Sequence, residues 1–89
     1  MNHLALPRFW RHYQQLPPEV QRLADKNYAL LKTIPFHPSL HFKKLGQRSQ
    51  LWSVRVGEHY RALALDKPAG VVWFWIGKHD EYERMIRQL

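Results

Sequence analysis

The chain has 89 residues and no cysteine, with fourteen Lys and Arg against seven Asp and Glu, a formal net charge of +7. A chain this short holds one hydrophobic core, so residues 1–89 read as a single domain. The absent thiols exclude disulfide staples, zinc–thiolate sites and a cysteine nucleophile, while the cationic excess selects anionic partners, nucleic acid or an acidic protein.

The opening MNHLALPRFWRHY has too few apolar residues before its first charges to serve as a signal-peptide core. The longest apolar run, residues 71–76, falls far short of a membrane span. A soluble, cytoplasmic protein with no membrane contact is expected.

Pro7 begins the first helical pattern, at a position where a missing N–H costs little. Phe9, Tyr13 and Leu16 follow at roughly helical spacing, with Arg8, Arg11 and Gln15 between them. Pro17 and Pro18 stop this helix and start another, and Glu19 favours the positive end of the new one. Val20, Leu23, Ala24, Asn27, Leu30, Leu31 and Ile34 then recur with a 3.6-residue period up to Pro35. Together the two segments predict an αα-hairpin.

Residues 35–50, PFHPSLHFKKLGQRSQ, sustain no period and read as an irregular connection. His37 and His41 stand at i,i+4, the spacing of zinc ligands on a helix. Pro38 between them and the lack of a nearby carboxylate argue against that use, so neither metal nor cofactor is expected. From Lys43 to Arg61 the chain carries Lys43, Lys44, Arg48, Arg55 and Arg61 against Glu58 alone.

Three strands are predicted next, over residues 51–56, 60–66 and 71–76, joined by turns at Gly57-Glu58-His59 and at Lys67-Pro68-Ala69-Gly70. They form an antiparallel meander. The last of them, VVWFWI, is apolar at every position, as suits a strand covered on both faces. DEYERMIRQL, from Asp80, predicts a short C-terminal helix with acids in its first turn and Arg84 and Arg87 later. Two helices on one face of a small sheet leave the other face to display side chains to a ligand. Two registers are open for SVRVGEHYRAL. A three-residue turn sets Arg55 opposite Arg61 on one face, whereas a two-residue turn sends them to opposite faces.

This order of elements, with LPPEVQRLADKNYALL, HPSLHFKKL, LWSVRVGEHYRAL and VVWFWIGKHDEY as anchors, resembles the RelE/ParE superfamily of toxins from type II toxin–antitoxin modules. The resemblance runs from about Phe9 to Tyr82. It implies an α+β fold: an N-terminal αα-hairpin packed on a small twisted antiparallel sheet, with a short C-terminal helix. The N-terminal strand usual in the family is here reduced to at most HLAL before Pro7.

Members similar to RelE are ribosome-dependent endoribonucleases that cut mRNA and arrest translation. Members similar to ParE act on DNA gyrase without catalysis of their own. Both are silenced by an acidic antitoxin and belong to stress-response or plasmid-stabilisation modules. A third possibility is a member that has lost toxicity and persists as a binding partner. Carried over position by position, Arg61 matches the strand arginine that contacts the scissile phosphate, and Arg55 a basic residue of the preceding strand. Lys43, Lys44 and Arg48 fall in or beside the basic approach loop. His79 stands where the nuclease branch often has a second arginine and sometimes histidine, and Tyr82 lies near its C-terminal aromatic.

Metal-free RNA cleavage uses the 2′-hydroxyl as nucleophile and needs an acid, a base and cations for the developing charge. Histidine suits proton transfer near neutral pH, and arginine's fork of donors matches phosphate oxygens. The resemblance therefore implies Arg61 as phosphate clamp, Arg55 as second cation, His79 as general acid or base, and Tyr82 as a partner in stacking or proton transfer. The competing structural roles are a strand-edge arginine satisfied by Glu58 or Asp66, a histidine capping the last helix, and a packed tyrosine.

Overall fold

A computed structural model describes residues 1–46 and 50–88. Strand β1 (His3–Ala5) precedes helices α1 (Pro7–Gln14) and α2 (Pro18–Thr33). A single 3-10 turn at Pro38–Leu40 leads to β2 (Lys43–Lys44). Then come β3 (Leu51–Val56), β4 (Tyr60–Lys67), β5 (Gly70–Lys78) and helix α3 (His79–Arg87). The architecture is α+β.

Proline punctuates the helices as its chemistry requires. Pro7 and Pro18 occupy the first turns of α1 and α2, where the lost N–H has no intrahelical partner. The Tyr13 hydroxyl donates to Asp25 (2.7 Å) and the Gln21 amide to the Tyr13 carbonyl (3.0 Å), tying α1 to α2 beside the Pro17–Pro18 corner.

The strands make one five-stranded sheet in the order β1-β5-β4-β3-β2. The predicted meander β3-β4-β5 is its antiparallel centre, and two short strands extend it. β2 pairs antiparallel with β3 inside the stretch read as irregular, and β1 pairs parallel with β5, so the sheet is mixed. Both additions escape a periodicity argument because two or three residues complete no pattern. The β1 pairing is also fixed by contacts with residues far along the chain: His3 opposite Val71, and Ala5 opposite Trp73.

Alternation sorts the side chains onto two faces. Val54, Val56, Ala62, Ala64, Val71, Trp73 and Ile76 form the main core with Leu31 of α2 and Leu16 of the bend between the helices. Leu63 and Trp75 point the other way and bury Tyr82 of α3, with Phe74, Met85 and Ile86 around them. A register shift between Leu63 and Ala64, opposite Trp75 and Trp73, lets both tryptophans be buried, one on each face. The second face is therefore not open along its whole length. α3 packs against β4 and β5, and Arg55 and Arg61 stay partly exposed beside it. Between α1, α2 and the sheet lies an apolar cavity of ≈ 110 Å³, rimmed by the exposed Leu4, Trp10 and Tyr28. Among the described residues no helix is long and apolar enough to cross a membrane.

Candidate functional site

The turn between β3 and β4 has three residues, Gly57, Glu58 and His59, since Val56 pairs with Tyr60. This selects the register that places Arg55 directly opposite Arg61. The hydrogen-bond parity says more. Leu45 N–H donates to the Leu51 carbonyl and Asp66 N–H to the Gln50 carbonyl. The odd-numbered residues of β3 therefore turn their backbone groups toward β2 and the even-numbered ones toward β4. Arg55 and Arg61 form a non-hydrogen-bonded pair, the kind whose Cα atoms lie only about 4.5 Å apart.

Two like charges carried on residues this close repel unless something holds them. Here the Gly57 carbonyl does so, accepting from Arg55 Nε (3.0 Å) and from an Arg61 guanidinium nitrogen (3.2 Å). Arg61 also donates to the Tyr60 carbonyl (2.7 Å). Among the described residues neither guanidinium has a carboxylate at ion-pair distance, and Asp66 is engaged elsewhere, by Lys44. Burial, and next the Arg55 charge, pull the Arg61 pKa below the usual arginine value, while Tyr82 and Glu83 oppose the shift. Arginine remains a cation under such perturbation. On its other flank Arg61 faces Gly77, whose missing side chain leaves room for the Trp75 ring. A Cβ there would lie 2.6 Å from that ring.

His79 begins α3, where β5 ends beside this pair. Its backbone N–H donates to the His59 carbonyl (2.9 Å), fastening the β3–β4 turn to the start of the helix. The imidazole is half-exposed and its Nε2 lies 3.2 Å from Glu83 Oε1, one helical turn on. With His59, Tyr60, Lys78, Asp80 and Glu58 it lines a polar cleft of ≈ 240 Å³. Tyr82 sits beneath it, ring centroids 5.8 Å apart, and is buried. The Tyr82 hydroxyl accepts a hydrogen bond from the buried Ser53 (3.0 Å), which stands on the same face of β3 as Arg55.

The lysine pair splits. Lys43 lies opposite Ser53 and shares the face of the arginines. Lys44 lies opposite Trp52 on the helix face, where it pairs with Asp66 (2.7 Å) and stands 5.5 Å over the Trp52 ring. The Trp52 indole N–H also lowers the Asp66 pKa, after Lys44, although it makes no hydrogen bond of ordinary geometry. Arg48 lies outside the described residues. His37 accepts from Ser39 N–H (3.2 Å) at the start of the 3-10 turn.

Three contributors to this face were given no role in the sequence reading. Gly77 and Glu83 are legible only afterwards, as the residue opposite Arg61 and the residue i+4 from His79. Ser53 shows as a small polar residue two positions before Arg55, a spacing that puts both on one face.

A twisted mixed sheet backed by two helices, with paired arginines at one end and a short helix packed over the other face, defines a toxin of the RelE/ParE superfamily. The sequence pattern of the ParE-like toxin domain matches residues 18–84, and the chain belongs to that family. No curated protein sequence matches it. Solved structures share the fold at low identity. A chain of the RelB–RelE antitoxin–toxin complex from Methanococcus jannaschii superposes with a TM-score of 0.70 at 12% identity, over 92% of this chain and 96% of that one. The YoeB/ParE toxin from Agrobacterium tumefaciens gives 0.66 at 15%, over 89% and 99%. The isolated RelE toxin of Escherichia coli gives 0.63 at 16%, over 98% and 97%.

Proposed function

We propose that this protein is the toxin of a toxin–antitoxin pair and a metal-independent endoribonuclease that cleaves mRNA on the ribosome. The observation that carries the reading is the Arg55–Arg61 pair, two guanidinium groups on one face with no carboxylate partner among the described residues. A site that keeps two like charges together and unneutralised is suited to a phosphate.

In this scheme the scissile phosphate lies against Arg61 and Arg55, whose donors meet the oxygens that gain charge as the 2′-hydroxyl attacks phosphorus. Such preorganised donors stabilise a transition state most where water is partly excluded. The half-exposed His79 imidazole serves one of the two proton transfers, giving a proton to the departing 5′-oxygen or taking one from the 2′-hydroxyl, and solvent water completes the other. Buried Tyr82 supports the histidine from below, and its hydroxyl is held by Ser53. Lys43 steers the RNA toward the pair from the neighbouring strand. An acidic antitoxin is the matching partner: the +7 charge supports its sign, and the exposed Leu4, Trp10 and Tyr28 support an apolar element in it.

Inducible expression with mapping of mRNA ends and of plasmid supercoiling tests the reading. Fragmented transcripts with normal DNA topology, lost in Arg61→Ala and His79→Ala, are expected. Intact transcripts with linear or trapped DNA would assign the protein to gyrase poisoning and overturn the nuclease.

A further inference from the structure

The apolar stripe of α2 contains one polar residue, Asn27, half-buried among Leu23, Ala24, Leu30 and Leu31. Its amide nitrogen donates to the backbone carbonyl of Arg55, 28 residues away (3.3 Å). The reason lies at the sheet edge. β2 covers β3 only as far as Ser53. The carbonyl of Arg55 points to that same side and among the described residues meets no strand, so Asn27 supplies the donor that a neighbouring strand would have given.

One turn earlier on the same helix row, Leu23 presses on the next part of the turn. A Cβ on Gly57 would lie 2.8 Å from Leu23 Cδ2, and Gly57 holds a positive φ of 67°. Residues at i and i+4 share a helix face. Leu23 and Asn27 therefore grip consecutive parts of the segment from Arg55 to Gly57 from behind the sheet. The Gly57 carbonyl at the end of that segment is the acceptor shared by both guanidinium groups.

We propose that Asn27 is a positioning residue: by holding the Arg55 peptide at an uncovered strand edge, it sets the Gly57 carbonyl that aims Arg55 and Arg61 at one anion. The role in catalysis rests on the nuclease reading above; the role in orienting the pair does not. Asn27 touches no substrate and acts through the backbone alone.

Asn27→Asp keeps the size and removes the donor, and Asn27→Leu removes both polar atoms. Solvent exchange of the Arg55 Nε–H, followed by NMR, reports the bond to Gly57 directly. In folded protein both variants are expected to speed that exchange by about tenfold or more, while Thr33→Val on the same helix leaves it unchanged. In ribosome-bound cleavage kcat is expected to fall about tenfold with KM within about twofold, the signature of misplaced groups rather than lost binding. Unchanged exchange in either folded variant overturns the proposal. Faster exchange with unaltered kcat overturns its catalytic half. If the wild-type protein does not cleave RNA, the nuclease reading falls, and the exchange result alone decides whether Asn27 orients the pair.

Discussion

Arg55 and Arg61 face one another across β3 and β4 and donate to a single acceptor, the carbonyl of Gly57. The arrangement stores repulsion at the turn end of β3 and β4. An anion placed between the two groups relieves that repulsion and gains both sets of donors. Arg61→Ala is expected to lower RNA cleavage by at least about 100-fold, the scale of a lost transition-state donor. The melting temperature should change little, since relief of one of two like charges offsets the loss of two hydrogen bonds to backbone carbonyls. Arg61→Lys restores charge without the fork and should recover only part of the activity. Full cleavage by folded Arg61→Ala, followed on ribosome-bound mRNA, would exclude the phosphate role.

The Ser53–Tyr82 hydrogen bond joins the centre of the sheet to α3 inside an apolar cluster. Tyr82→Phe leaves the Ser53 hydroxyl buried without this partner, at a cost of about 1–2 kcal/mol. Ser53→Ala in the same chain removes the orphaned group, so the double variant should be less destabilised than the two single changes added together. Urea denaturation of the four proteins measures the coupling, and simple additivity would show that the bond contributes nothing.

The Lys44–Asp66 pair closes the outer edge of the sheet, holding β2 beside β3. The bond from Lys44 keeps the Asp66 pKa below its ordinary value of 3.8, with Trp52 second. A carboxylate depressed on folding contributes stability that is present above its unfolded pKa and lost as pH falls through the folded one. The loss therefore belongs to the acid range below about pH 4. Asp66→Asn should flatten that part of the stability curve and leave neutral-pH folding nearly intact, because both side chains are substantially exposed. An identical acid limb in the variant would remove the pair from the account.

His3 fastens the other edge. The Trp73 indole N–H donates to His3 Nδ1 (3.1 Å), and the two rings stack with centroids 6.2 Å apart. Nδ1 must be unprotonated to accept. Burial first, then the N-terminal ammonium and Lys32, hold the His3 pKa below its ordinary value of 6.5. The contribution is complete above pH 6.5 and disappears as pH falls through the lower, folded pKa. Mild acid should therefore loosen β1 first. Hydrogen exchange at Leu6, whose N–H donates to the Trp73 carbonyl, should accelerate with the Trp73 indole shift. His3→Gln should abolish the pH dependence of both, and a persistent pH response in that variant would rule out His3 as its source.

Much of this protein is legible residue by residue. The prolines at 7, 17, 18 and 35 mark the helix ends, because a ring that lacks an N–H and blocks one backbone angle acts locally. The alternation in residues 51–56 and 60–66 marks strands because successive side chains must point opposite ways. Asn27 stood in plain view within the stripe of α2, yet nothing nearby in the chain named its partner, which lies on another element.

Charge, core size and the order of elements follow from composition and short-range sterics, and they already point to a small cationic α+β domain with an anionic target. The site does not follow in the same way. Whether two arginines face each other or diverge depended on a turn of three residues rather than two. Whether Lys43 and Lys44 act together depended on their joining the sheet as a strand, which sends neighbouring side chains to opposite faces, and Tyr82 became buried only when α3 folded back over Leu63 and Trp75. Those outcomes come from pairings between distant segments, whose free energy arises once the core closes and which no short window of residues contains.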